Sequence, residues 1–352
     1  MKPELGALRI LREGGVWVPS PLALDSKKHP SEAYQRLLTL YYIRSGARAV
    51  VPGAHTGEFA GAGYLPTHEH LAIFEWWLKL IRLMTREYGQ DMFLMSMVSG
   101  IKQAELSAKQ GYDMVTISPR AFAGMNDKKK IAYCKDIASI IPVYGFYLQP
   151  KAGGVELTTG FWEEFFKFSW GAKFAPFDRY RTLKALETAT RSKRFKELTF
   201  VTGNDDHIIP DLTRTFNFNG RKTHLSGGLL GHYATDTRSA VKWTSSALAY
   251  RKKPTSWKLK VPVEELGDAV TLCNDALFDA SPNNFKNSIW GVKSRLSYLG
   301  LLPAPNCFEE RGRKGQQAEI KSRYEGRYKQ YVSDSAWLKK DLSALKKEAG
   351  VK

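Results

Sequence analysis

The sequence predicts an α/β protein, a (β/α)8 TIM barrel with additional C-terminal helices, on three observations. Short β-branched or apolar runs alternate with longer amphipathic stretches, the pattern of a parallel α/β chain. Eight such runs occur before residue 254, whereas a doubly wound open sheet usually stops at about five to seven. The remainder, 255–352, reads as helix. The predicted domains are a barrel over 1–254 and a helical extension over 255–352 packed outside it.

The eight runs, in order, begin with "VWVP" (16–19), "RAVVPG" (48–53), "MFLMSMV" (92–98) and "DMVTISP" (113–119). They continue with "IPVYGFYL" (141–148), "GAKFAP" (171–176), "LTFVTG" (198–203) and "THLSGG" (223–228). Between the second and third, "THEHLAIFEWWLKLIRLMTREYG" is helical in period, with Thr67 as its N-cap and Gly89 as its stop; "IKQAELSAKQG" ends at Gly111. No further repeat, low-complexity segment or Gly/Ser-rich linker marks a second independent domain.

Composition narrows the class. Of 352 residues, 43% are hydrophobic and 25% charged, enough for a full core. The most apolar stretch is broken by Glu75, Lys79 and Arg82, short of the ~18 uninterrupted residues of a membrane span. The N-terminus shows no secretory signal. Cys134, Cys273 and Cys307 are few and scattered, which suits reduced thiols in the cytoplasm. The net charge of +18 would steer small anionic substrates. Much of it lies in C-terminal stretches where Lys and Arg alternate with acids, the pattern of a solvated helical face, so neither nucleic acid nor membrane is an expected partner.

In a barrel of this kind the chemistry sits at the C-terminal ends of the strands. Lys173 lies there among Trp170, Ala172, Phe174, Ala175 and Pro176. It reads either as a lysine snorkelling to solvent or as a desolvated amine with a lowered pKa, able to attack a carbonyl carbon. Tyr147 is either a core tyrosine or a proton carrier. The "HTGE" turn offers backbone N–H groups to a carboxylate. Asp205 and Asp206 read equally as a helix cap or as ligands.

Taken together, these segments resemble the dihydrodipicolinate synthase and N-acetylneuraminate lyase superfamily. "GAHTGEFA" followed by "LPTHEH" is similar to its Gly-Thr-Thr-Gly-Glu-Phe and Leu-Thr-x-Glu-Glu segments. "IPVYGFYLQP" resembles its fifth strand, ending Tyr-Asn-x-Pro; "GAKFAPFD" resembles its Schiff-base lysine strand, and "GNDD" its Gly-Tyr-Asp-Glu. The resemblance spans roughly 10–300. It implies class I aldolase chemistry, with Lys173 forming an imine with pyruvate or another 2-oxo acid, Tyr147 relaying protons, and the amides of His55 and Thr56 holding the carboxylate. Gly57, Gln149, Asn204, Asp205 and Asp206 complete the implied substrate-binding set, and the two acids would hold the hydroxyls of an aldehyde partner. No metal or cofactor beyond the covalent lysine imine is implied. A homo-oligomer, dimer or tetramer, is.

Three departures bear on the substrate. His55 stands where the family usually has a threonine hydroxyl, and is a second candidate for proton transfer. "SPRA" (118–121) replaces the segment bearing a relay tyrosine. "KAGG" (151–154) lacks the arginine that marks true dihydrodipicolinate synthases, so lysine biosynthesis is not expected. The expected function is a Schiff-base lyase or aldolase on a 2-oxo acid and an aldehyde. The alternatives are a dehydratase or hydratase using the same imine, or a non-catalytic binding barrel.

Overall fold

In the computed structural model, which describes residues 2–89 and 92–351, every predicted run carries a strand. They are β1 (Gly15–Pro19), β2 (Ala49–Val51), β3 (Met95–Val98), β4 (Met114–Ile117), β5 (Val143–Leu148), β6 (Gly171–Ala175), β7 (Thr199–Thr202) and β8 (Gly227–Leu229). Neighbours pair in parallel in the order β2-β1-β8-β7-β6-β5-β4-β3. The ring closes where the amides of Phe93 and Met97 donate to the carbonyls of Arg48 and Pro52 at 3.1 and 2.9 Å.

The eighth strand starts later than its predicted run. Thr223 instead ends a small antiparallel hairpin, Phe216–Phe218 with Arg221–Thr223. Pairing with β1 begins at Gly227, where a Cβ would stand 2.1 Å from the Gly15 carbonyl oxygen. Only glycine allows that approach.

Helix α1 (Leu5–Glu13) precedes the barrel. After the strands in turn come α2 (Glu32–Ser45), α3 (Thr67–Tyr88), α4 (Ile101–Lys109), α5 (Asp127–Ile140), α6 (Thr159–Phe165), α7 (Arg179–Arg191), α8 (Ile208–Thr213) and α9 (Thr237–Lys252). Thr67 is the first helical residue of α3 and Pro66 occupies the cap position, one residue earlier than predicted. The C-terminal helices are α10 (Val263–Phe278), α11 (Ala280–Asn283), α12 (Ser288–Tyr298), α13 (Gln316–Tyr324), α14 (Lys329–Val332) and α15 (Ser335–Ala349). Among them α10 packs on α8 and α15 on α2. The fully buried Arg295 guanidinium binds both carboxylate oxygens of Asp236, at 2.9 and 2.7 Å, fastening α12 to the start of α9.

Strand alternation divides the apolar residues into two cores. Inside the barrel lie Trp17, Val51, Met95, Met97, Tyr144, Phe146, Val201 and Leu229. Between strands and helices lie their sequence neighbours, including Val18, Val50, Val115, Tyr147, Phe174 and Phe200. Helix α1 contributes Leu8, Ile10 and Leu11 to the inner cluster, an apolar contact that its short alternation of charged and apolar residues did not announce.

Candidate active site

At the C-terminal end of the strands a cavity of about 70 Å³ is lined by Lys173, His55, Thr56, Asp205 and a mostly apolar wall. Lys173 sits at the middle of β6, 7% exposed. Its ammonium nitrogen lies 4.0 Å from the centre of the Phe146 ring. Burial lowers its pKa, and the charge of Asp205 opposes that shift. The snorkelling alternative therefore does not describe this lysine. Room for the side chain comes from Gly203 at the end of β7, where a Cβ would fall 2.4 Å from Lys173 Cε.

Tyr147 is elsewhere, which corrects the expectation that it shares this pocket. Parallel register sets Phe146 opposite Lys173 and Tyr147 opposite Phe174. Residues opposite one another point to the same face, so an inward Lys173 dictates an inward Phe146 and an outward Tyr147. The Tyr147 ring packs on Trp162 of α6, 5.7 Å between centroids, and its hydroxyl donates to Glu156 at 2.9 Å. That surface is separate from the Lys173 cavity.

The β2 loop places His55 and Thr56. Residues 55–61 form a tight helical turn, whose first N–H groups lack partners within the turn; those of Gly57 and Phe59 are used on the Ala54 carbonyl. The Thr56 hydroxyl donates to the Pro19 carbonyl at 2.6 Å and is therefore committed. Gly57 does not line the cavity: a Cβ there would meet the Trp77 ring at 2.6 Å. Glu58, Phe59 and Ala60 all adopt left-handed backbone angles, with φ of 50°, 50° and 57°, costing roughly 1–2 kcal/mol each. The strain is held by the Glu58 carboxylate, which accepts from Lys293 at 2.5 Å and from the Phe308 amide at 2.7 Å. Phe59 is wedged between the His55 ring and the Arg120 guanidinium, 5.7 and 4.7 Å from its centroid. Burial, helped by the charges of Lys173 and Arg120, lowers His55 to about 4. It is a neutral imidazole near pH 7.

The "GNDD" residues separate. Asp205 enters the cavity with Oδ1 shielded from solvent and without a hydrogen-bond partner. Asp206 is exposed and faces an adjoining groove, outside the Lys173 cavity. Asn204 is buried structural glue: its amide donates to Asp211 at 3.0 Å and its carbonyl accepts from the Phe177 amide at 3.2 Å. Gln149 is buried in the turn after β5, outside the cavity lining, with Nε2 unpartnered. The expected binding roles of Gly57, Asn204, Gln149 and Asp206 thus have no direct geometry in the cavity.

Sequence reasoning missed an aromatic pair in the cavity wall. Phe177, after β6, and Phe285, before α12, stack at 5.3 Å with planes 10° apart, and both line the cavity. Both have positive φ, 47° and 67°. Phe278 and Ser288 also reach the cavity from the C-terminal helices. Only the missed inward Phe146 was readable, through the alternation of β5.

No family sequence model matches the chain, and neither does any curated protein. Solved structures do. Dihydrodipicolinate synthase from Oceanobacillus iheyensis is similar at TM-score 0.71 and 12% identity, covering 92% of this chain and 98% of that one. N-acetylneuraminate lyase from Mycoplasma synoviae gives 0.66 and 13%, covering 91% and 98%. A variant of 2-keto-3-deoxygluconate aldolase from Sulfolobus solfataricus gives 0.63 and 14%, covering 88% and 95%. The chain has the fold of these enzymes over nearly their whole length.

Proposed function

We propose that this chain, which has the fold of the dihydrodipicolinate synthase and N-acetylneuraminate lyase superfamily, belongs to it in chemistry as well and is a Schiff-base lyase acting on pyruvate or a related 2-oxo acid. One observation carries the reading: a lysine amine, buried on β6 and lowered in pKa by that burial, opens into a cavity at the C-terminal mouth of a closed barrel. A neutral amine is the nucleophile that imine formation needs.

In the proposed reaction Lys173 attacks the 2-oxo carbon, and loss of water leaves an iminium that accepts electrons as a bond to the adjacent carbon breaks. The N–H groups opening the 55–61 turn hold the substrate carboxylate. The second product is an aldehyde. Phe177, Phe285, Leu148 and Leu230 line the cavity, so its walls are apolar, and with Asp206 outside, two acids gripping a polyol is no longer the favoured arrangement. Assembly into a dimer or tetramer belongs to the same proposal.

Borohydride reduction in the presence of a panel of 2-oxo acids, followed by peptide mass spectrometry, tests the reading. A single adduct on Lys173 with at least one of them supports it. Adducts spread over surface lysines, or none, refute it.

A further inference from the structure

With Tyr147 outside the barrel, no phenol among the described residues lines the Lys173 cavity, yet each stage of an imine reaction moves a proton. We propose that Asp205 is the catalytic acid–base of the Lys173 site, an assignment that rests on the Schiff-base reading. Its carboxyl lines the cavity with Lys173, and Oδ1 is shielded from solvent with no hydrogen-bond partner. An unsatisfied buried oxygen costs free energy unless something fills its place, and a substrate hydroxyl or water formed at the 2-oxo carbon would do so.

The other candidates in the cavity are weaker. The Thr56 hydroxyl is committed to Pro19. Ser288 Oγ is unpartnered, but an alkyl hydroxyl neither takes nor gives a proton readily near neutral pH. His55, lowered to about 4, is a weak base and is unprotonated near pH 7. Burial lifts Asp205 well above the usual carboxylate range; the Lys173 charge pulls it down and the Asp206 charge adds to the rise. The groups around it are therefore Lys173, Asp206, the His55 imidazole and the Tyr233 phenol, the last of which senses the Asp205 charge. A carboxyl raised toward its acid form beside an amine lowered toward its neutral form suits the first step.

The backbone of Asp205 is also fixed from the C-terminal helices. Asn274 of α10 donates from Nδ2 to the Asp205 carbonyl at 2.6 Å. Its Oδ1 meets His232 Nδ1 at 2.6 Å, and the Tyr324 hydroxyl stands 3.2 Å from that nitrogen.

The protons balance around one carboxyl. Neutral Lys173 adds to the 2-oxo carbon, the carbonyl electron pair moves to oxygen, and the proton lost by nitrogen passes to that oxygen through Asp205. The protonated carboxyl then gives its proton to the departing hydroxyl, so that water, an iminium and a carboxylate result. The carboxylate takes the proton of the hydroxyl on the carbon next to the breaking bond; the aldehyde forms, and the bond electrons neutralise the iminium as an enamine. Asp205, protonated again, delivers that proton to the enamine carbon. Water then adds to the iminium carbon, the proton it sheds returns to the Asp205 carboxylate, and the carbinolamine collapses to the 2-oxo acid and neutral Lys173.

The test is exchange of the pyruvate methyl protons in D₂O, followed by proton NMR, alongside borohydride trapping. Wild type should exchange and Lys173→Ala should not. Asp205→Asn should still be trapped on Lys173 by borohydride on prolonged incubation, more slowly than wild type, and exchange on the order of 10²-fold more slowly. If it is trapped normally and exchanges within about threefold of wild type, the role of Asp205 is overturned and the Schiff-base reading stands. If wild type is neither trapped nor exchanging, both fall together. Should Asp205→Asn not fold, Asp205→Glu carries the test: retained exchange with a shifted pH profile supports the role, and a profile identical to wild type overturns it.

Discussion

Glu58 and Lys293 form an ion pair 2.5 Å long with both side chains 1% exposed, joining the strained turn beside Lys173 to helix α12. The pair explains how three consecutive left-handed residues persist: a charge-assisted bond and the Phe308 amide hold the turn from one side. Removing one partner leaves an unpaired buried charge. Lys293→Met should therefore cost about 3–5 kcal/mol in denaturant melts, and the double variant Glu58→Gln, Lys293→Met distinctly less than the sum of the singles. Additive losses would show that the two groups are not coupled.

The pH dependence of trapping follows from Lys173. Burial disfavours its ammonium form, so the native amine binds a proton less readily than a free lysine, whose pKa is about 10.4. The nucleophile is the unprotonated form. The trapping rate should rise with pH and level off below the ordinary lysine range; a rise that continues to about 10.4 would place the amine in water. The same shift makes folding lose stability as pH falls, because the unfolded lysine then holds a proton that the native one resists.

Gly203→Ala should abolish trapping. The added Cβ would lie 2.4 Å from Lys173 Cε and 2.9 Å from Ala175 Cβ, so either the lysine side chain or the strand must move. Circular dichroism would separate a displaced lysine in a folded barrel from a barrel that fails to form. A folded variant trapped at the wild-type rate would contradict the packing described.

Tyr147→Phe should keep turnover within about threefold of wild type. Its hydroxyl donates to Glu156 on the helix side of the sheet, and the expected loss is one hydrogen bond to a charged group, about 1.5–3 kcal/mol of stability at most. A fall in turnover of about 10²-fold, the usual cost of losing a general acid–base group, would put the phenol back in the site.

His55→Thr should lower turnover by less than about tenfold. The imidazole is lowered to about 4 by burial and the charges of Lys173 and Arg120, so at pH 7 it has no proton to give as an imidazolium. A loss near 10²-fold would show that it carries protons after all.

The sequence by itself determined the architecture. Eight apolar runs, glycines ending the helices and a helical tail are local signals, and seven strands formed where their runs stood, the eighth only at the end of its run, because side-chain period and β-propensity act over a few residues. The place of Lys173 on the sixth run was equally legible, but its neighbours Trp170, Phe174 and Pro176 left snorkelling and burial both open until the fold was built. What only the tertiary structure decided is which side chains share its cavity. Whether Tyr147 or Phe146 faces Lys173 depends on the register between β5 and β6, and a shift of one residue exchanges the two faces of a strand. Phe285 and Ser288 reach the cavity from over a hundred positions along the chain from Lys173, and Lys293 grips Glu58 across 235. The left-handed turn at 58–60 has no glycine at those positions to mark it. Such contacts are set by the packing of the C-terminal helices against the barrel mouth, where the free energy comes from burial and pairing between distant segments and leaves no periodic trace in either of them.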